Sequence, residues 1–148
     1  MRERTLWKCP ECGHRFVTAH IWHSCGRYRI EDHFAGKDPV VREAFDRLDE
    51  VVRRFGPVTV YAQKTSIAFQ VRVRFARAMP KKRWLDGHFW LKRRAGHPRL
   101  TKVEHLLRND WIHWFRITEP AQIDRAFVRL LREAYGIGKQ THRRSAGL

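Results

Sequence analysis

Residues 67–75 read Ile67-Ala68-Phe69-Gln70-Val71-Arg72-Val73-Arg74-Phe75. Ile67, Phe69, Val71, Val73 and Phe75 share one parity, and all are apolar. Ser66, Ala68, Gln70, Arg72, Arg74 and Ala76 fill the other parity. A period of two sends successive side chains to opposite faces of a strand. The stretch therefore predicts one long strand with a dry side and a side that becomes basic. A sheet containing it rests one face on a core.

The neighbouring sequence extends that sheet. Val58 and Val60 open a short strand, and Met79 to Arg83 reads as a basic turn. Further strands are expected over Leu85–Lys92, Leu100–Leu106 and Trp111–Ile117. Their short connections favour an antiparallel meander.

Helical periodicity brackets the sheet. Asp38 can cap a helix with Pro39 in its first turn. Val41, Ala44, Phe45, Leu48, Val51, Val52 and Phe55 then recur every three or four residues, one buried stripe, until Gly56-Pro57 stops the helix. Thr118 is the expected cap of a second helix, with Pro120 in its first turn. Ile123, Phe127, Leu130, Leu131 and Ala134 form its stripe, and Gly136 and Gly138 end it. The expected fold class is α+β: an N-terminal zinc knuckle, then a two-layer domain in which two amphipathic helices flank an antiparallel sheet. The expected divisions are 1–35 for the knuckle, 36–138 for the body and 139–148 for a basic, loose tail.

The chain has 148 residues and a formal net charge of +16. Hydrophobic residues make up 43%, too many for a disordered chain. No apolar run approaches the 18 or so residues of a membrane span. The first 30 residues are charged and carry Cys, so no signal peptide is expected there. A soluble cytoplasmic protein with no membrane partner is the expectation. Residues 57–108 hold 13 basic and 2 acidic residues, so most of the excess charge lies in the middle third. Such a field concentrates polyanions and speeds their association.

The three cysteines are Cys9, Cys12 and Cys25. An odd number without a secretion signal argues against a disulfide framework. In Cys9-Pro10-Glu11-Cys12-Gly13 the two thiols lie two residues apart, and Pro10 and Gly13 suit a turn that points both sulfurs inward. His23-Ser24-Cys25-Gly26 supplies a second half. Cys9, Cys12, His23 and Cys25 would close a tetrahedral Cys3His zinc shell with no open catalytic position, so the zinc would be structural. The gap from His23 to Cys25 is short, which leaves His20 as the main rival ligand and His14 as a weaker one. Trp7, Phe16 and Trp22 could form the module's small apolar cluster.

The segments Cys9-Pro10-x-Cys12-Gly13, Trp22-His23-Ser24-Cys25-Gly26 and Glu31-Asp32-His33-Phe34 together resemble the start of a bacterial family of uncharacterised domains. The similarity continues through Gly56-Pro57-Val58-Thr59-Val60, the Ile67–Phe75 stretch and Leu131-Arg132-Glu133-Ala134-Tyr135, and so spans most of the chain. The family is a domain of unknown function, with related domains loosely labelled predicted transport protein. The resemblance implies the metal set Cys9, Cys12, His23 and Cys25 and an α+β body. It implies no established reaction.

Catalytic signatures are scarce. The sequence has no nucleophile elbow, phosphate loop or GxGxxG fingerprint. A two-metal nuclease needs several carboxylates together, and the basic middle offers only Asp86 and Glu104, with Asp110 just beyond. His88, His105 and His113 fall on three expected strands. If they converge in a pocket, they would support a nucleic-acid-processing or small-ligand enzyme. The Glu31-Asp32-His33 turn could bridge knuckle and body.

Trp84, Trp90, Trp111 and Trp114 accompany the basic residues of the sheet region. A basic sheet face with exposed rings can stack unpaired bases while its cations follow phosphates. The leading expectation is a non-enzymatic module that binds nucleic acid or another polyanion. Its expected contacts are Arg72, Arg74, Lys81, Lys82, Arg83, Lys92, Arg93 and Arg94. A protein-interaction adaptor with structural zinc is the alternative.

Overall fold

The computed structural model describes residues 5–10, 13–20 and 28–140. Cys12, His23, Cys25, Trp22 and most of the expected tail lie outside the described residues.

The first helix follows its sequence signals. α1 spans Pro39–Phe55, and the Asp38 carboxylate accepts the Val40 N–H at 3.0 Å. A cap of this kind satisfies one of the donors that a helix start leaves without a partner. Val41, Ala44, Phe45, Leu48, Val51 and Val52 are buried. The solvent side carries i,i+4 pairs, among them Arg42–Asp46 and Arg53–Asp49, both at 2.9 Å. At Gly56, φ is +149°, and a Cβ there would meet the Tyr135 hydroxyl at 2.5 Å. That position ends the helix on a residue without a side chain.

A two-stranded hairpin, β1 (Trp7–Lys8) and β2 (Arg15–Phe16), precedes α1. Six further strands form one antiparallel sheet: β3 (Thr59–Ala62), β4 (Ile67–Gln70), β5 (Arg74–Pro80), β6 (Leu85–Leu91), β7 (Leu100–His105) and β8 (Trp111–Ile117). α2 spans Arg125–Gly138. Both helices pack on the same face of the sheet, and Phe45, Phe69, Phe75, Phe89, Phe115 and Phe127 fill the space between the layers.

Three sequence expectations change. The long strand from Ile67 to Phe75 is a hairpin, β4 and β5, joined through residues 71–73. Val71 N–H donates to Val73 O at 3.2 Å, and Arg72 and Val73 N–H both donate to the carbonyl of Gly138, at 2.9 and 3.1 Å. The end of α2 thus satisfies the turn that breaks the strand. A register shift pairs Phe69 with Ala76 but Gln70 with Arg74, so Phe75 is an extra residue and stays in the core.

The meander also fails at its last step, because the strand order is β3-β4-β5-β6-β8-β7. β8 buries Ile112, His113, Phe115 and Ile117, whereas β7 exposes Thr101, Lys102 and His105. The more apolar strand takes the inner position, and the charged one serves as an edge that resists further pairing. Finally, Asp124 rather than Thr118 caps α2. Its carboxylate accepts the Phe127 N–H at 2.9 Å. The Thr118 hydroxyl is taken by the Gln122 side chain at 2.8 Å, and Pro120–Gln122 forms a separate 3-10 turn.

Candidate functional site

Alternation along β5, β6 and β8 decides which side chains stand on the face away from the helices. Ala76, Ala78, Leu85, Phe89 and Phe115 face the helices, so Arg77, Met79, Asp86, His88, Trp90, Trp114 and Arg116 stand on the other face. Register joins them into a row that crosses the whole sheet: Tyr61, Ala68, Arg77, His88, Trp114 and Lys102.

His88 lies at the centre of this face and is 5% exposed. Its ring is 4.8 Å from Trp90 and 4.6 Å from Trp114, edge-on to both. Burial, and then the Arg77 charge, push its pKa down to about 4, so it is neutral at pH 7. Its Nδ1 has no hydrogen-bond partner among the described residues. The Trp114 indole N–H donates to Glu104 at 2.9 Å, which fixes that ring.

Arg77 is half-buried, and its Nε has no partner among the described residues. Burial, and then the charge of Arg74, hold its pKa below the usual value. Arg74 donates to the Tyr61 hydroxyl and sits 5.8 Å from the Phe16 and Tyr61 ring centres. Among the described residues neither Arg74 nor Arg77 forms a salt bridge. The face's carboxylates are occupied elsewhere: Asp86 holds Arg116 at 2.8 Å, and Glu104 holds Trp114 and Lys102. The Arg116 guanidinium lies 4.3 Å from the Trp84 ring centre.

The N-terminal hairpin covers one end of this face. Gln70 is 2% exposed and donates to Arg15 O, while His14 Nε2 lies 3.1 Å from Gln70 Oε1. The His14 ring stacks on Phe16 at 4.4 Å and meets Tyr61 edge-on at 4.0 Å. A small cavity of about 160 Å³ lies here, lined by Phe16, Val17, Thr18, Gln70, Arg72, Val73 and Arg74. Within the hairpin, Gly13 N–H donates to Cys9 O and Cys9 N–H to His14 O, both at 2.8 Å. Gly13 has φ +76°, and Cys9 is buried. His33 Nε2 lies 2.7 Å from Gln63 O and bridges the segment before α1 to the β3–β4 connection.

The eight expected contact residues do not form one cluster. Arg74 stands on the face away from the helices. Arg72, in the turn after β4, donates to the Gln140 side chain at 2.9 Å. Lys81, Lys82 and Arg83 are exposed in the β5–β6 turn. Lys92, Arg93 and Arg94 follow the other end of β6, roughly 20 Å away by strand geometry. Lys92 pairs with Asp110 at 2.5 Å and Arg93 with Glu133 at 2.9 Å. Arg94 lines a shallow cavity of about 430 Å³ with Ala95, Gly96, His97, Leu100 and Val103.

The strand histidines also separate. His113 is fully buried on the helix side: its Nε2 accepts the Ala95 N–H at 3.0 Å, and its Nδ1–H faces Trp111 O at 3.1 Å. His105 stacks on Trp111 at 4.3 Å near the β7–β8 turn. The three therefore line no common cleft. Among the described residues no three His, Cys, Asp or Glu side chains gather as a metal-sized group. Asp86, Glu104 and Asp110 accordingly do not meet.

Sequence reading missed Arg77, which falls beyond the run that alternates from Ile67 to Phe75. The small residues Ala76 and Ala78 on either side of it were the available signal.

Residues 30–138 match a family model described as Domain of unknown function (DUF5655). The match begins after the cysteine-bearing segment. No curated protein and no solved structure matches the chain. Among the described residues no helix is long and apolar enough to cross a membrane.

Proposed function

The chain belongs to the DUF5655 family of domains of unknown function, a name that carries no activity, and we propose from the chemistry of its own face that it binds nucleic acid without catalysing a reaction. One observation carries this reading. Arg74 and Arg77 stand within each other's field, neither forms a salt bridge among the described residues, and His88, the cross-strand partner of Arg77, touches Trp90 and Trp114. Two like charges held together at a partly buried site repel, and an anion placed between them relieves that repulsion. Phosphates do so when aromatic neighbours also engage the bases. The exposed Lys81, Lys82 and Arg83 turn adds a second cationic patch at the far end of β6.

The test is fluorescence anisotropy with labelled oligonucleotides across a salt series. The observed affinity falls linearly on a log–log plot, steeply between low and moderate salt. Arg74→Ala with Arg77→Ala flattens the slope. Absence of binding to any DNA or RNA at low salt removes this function.

The N-terminal hairpin supports a structural zinc. The Cys9 turn is closed by Gly13 and His14 backbone bonds, and its Gly13 takes the positive φ that a tight thiolate turn uses. The proposed ligands are Cys9, Cys12, His23 and Cys25. His14 is engaged on Gln70, which favours the other histidines as fourth ligand. Zinc here would staple the hairpin that covers one end of the sheet face away from the helices.

A second reading, a protein-interaction adaptor, draws on Leu106 and Leu107, which are 50% and 77% exposed at the β7–β8 turn. Replacing both with Ser would abolish partner capture under that reading and leave oligonucleotide binding unchanged.

A further inference from the structure

We infer that the sheet face away from the helices takes a short unpaired stretch of nucleic acid, stacking successive bases on Trp90 and Trp114, with Arg77 and Arg74 on the adjoining phosphates and His88 at a base edge. This rests on the nucleic-acid reading above and narrows it to a single strand.

Three features point to bases rather than to charge alone. First, the two rings are diagonal neighbours on adjacent strands. Trp114 pairs with His88, and Trp90 lies two residues further along β6. Sheet geometry puts such positions about 7–8 Å apart. Two neighbouring unpaired bases can reach both rings, as they do on four-stranded sheets whose exposed aromatics stack about two or three bases.

Second, the rings are held in place before any ligand arrives. Glu104 fixes the Trp114 indole N–H at 2.9 Å, and His88 touches both rings edge-on. Preset side chains lose little freedom on binding, which favours a stacking role over a merely solvated one.

Third, two of the four buried side-chain atoms that lack a hydrogen bond among the described residues meet on this face. They are His88 Nδ1 and Arg77 Nε, and their residues are direct cross-strand partners. Buried polar atoms left unsatisfied are few in native proteins and ask for a partner. A neutral imidazole offers both a donor and an acceptor, which suits a base edge. The guanidinium beside it offers donors only, which suits a phosphate. A duplex hides its base faces inside the stack, so its bases cannot lie on these rings.

The experiment uses the full chain and three probes at one salt concentration: an unpaired oligonucleotide of about twelve nucleotides, the same sequence as a duplex, and inorganic polyphosphate. The single strand is expected to bind at least tenfold more tightly than the duplex and to quench tryptophan fluorescence, while polyphosphate binds without quenching. Trp90→Ala is expected to weaken single-strand binding about tenfold or more and to leave polyphosphate binding unchanged. Trp90→Phe, which keeps a ring and guards against a folding defect, retains most of the affinity. Equal binding of all three probes with no quenching overturns base stacking and leaves the broader polyanion reading standing. No binding of any probe overturns both.

Discussion

Gly138 packs directly on the ring of Phe75: a Cβ on this glycine would lie 2.6 Å from Phe75 Cδ1. Phe75 is fully buried, and the Gly138 carbonyl holds the turn just before it. Gly138→Ala therefore forces a shift in a packed core and costs about 1–3 kcal/mol. A Cβ on Gly136, two residues earlier, would meet nothing within 4 Å among the described residues. Gly136→Ala raises helix propensity there and stabilises by about 0.5–1 kcal/mol. Urea denaturation of the two variants should move the midpoint in opposite directions. Equal shifts would show that the Gly138–Phe75 contact has no bearing on stability.

How much of this was legible in the residues is clear from the same place. Val71 and Val73 continue the apolar alternation through a turn, so periodicity alone extends one strand across the break. The turn depends on backbone bonds to Gly138, which lies 66 positions from Arg72 and 65 from Val73 and is invisible to a local pattern. The extra residue at Phe75 then restores it to the core. α1, by contrast, has its cap, stripe and stop within one segment and was read correctly. Arg74 was legible as a basic-face residue. The meeting of His88 with Trp114 was not, because it needs β8 beside β6, an order that no short connection predicts.

His88 gives acid sensitivity a definite sign. In the unfolded chain it titrates near its ordinary 6.5, and in the folded protein only at about 4. Between these values the unfolded state holds more protons, so stability falls as the pH falls. The contribution is present above pH 6.5 and fully lost below pH 4, about 3 kcal/mol in all. Buried His113, also held below its ordinary value by burial, acts in the same direction. Chemical denaturation at several pH values, compared between the protein and His88→Phe, should give curves that diverge towards acid. Parallel curves would show that His88 keeps its ordinary pKa in the fold.

Cation neutralisation should separate partnered from unpartnered residues. Lys92 and Arg93 already face Asp110 and Glu133. Lys92→Ala and Arg93→Ala should change oligonucleotide affinity little. Arg77→Ala should weaken it and reduce the magnitude of the salt slope by about 0.7, the value for one lost contact to a single strand. Lys81→Glu, Lys82→Glu and Arg83→Glu together test whether a second patch at the far end of β6 contributes. A larger loss from Lys92→Ala than from Arg77→Ala would move the interface to the other end of the strand.

Zinc, if it closes the N-terminal hairpin, should be felt on the sheet. Elemental analysis of the purified protein should find about one zinc per chain, and Cys9→Ala with Cys12→Ala should abolish it. His23→Ala should lose the metal and His14→Ala should keep it, because His14 is held against Gln70. His20→Ala decides between the two remaining histidines. Metal loss frees the β1–β2 hairpin from its staple, and the hairpin meets the body through His14, Arg15 and Phe16 on Tyr61, Gln70 and Arg74. Amide exchange at Gln70 and Arg74 should therefore rise when a chelator removes the zinc, while exchange in α1 stays slow. Retention of zinc by the double cysteine variant would place the metal elsewhere. Unchanged exchange after its removal would show that the hairpin docks on its own contacts, with the metal serving only the segment before α1.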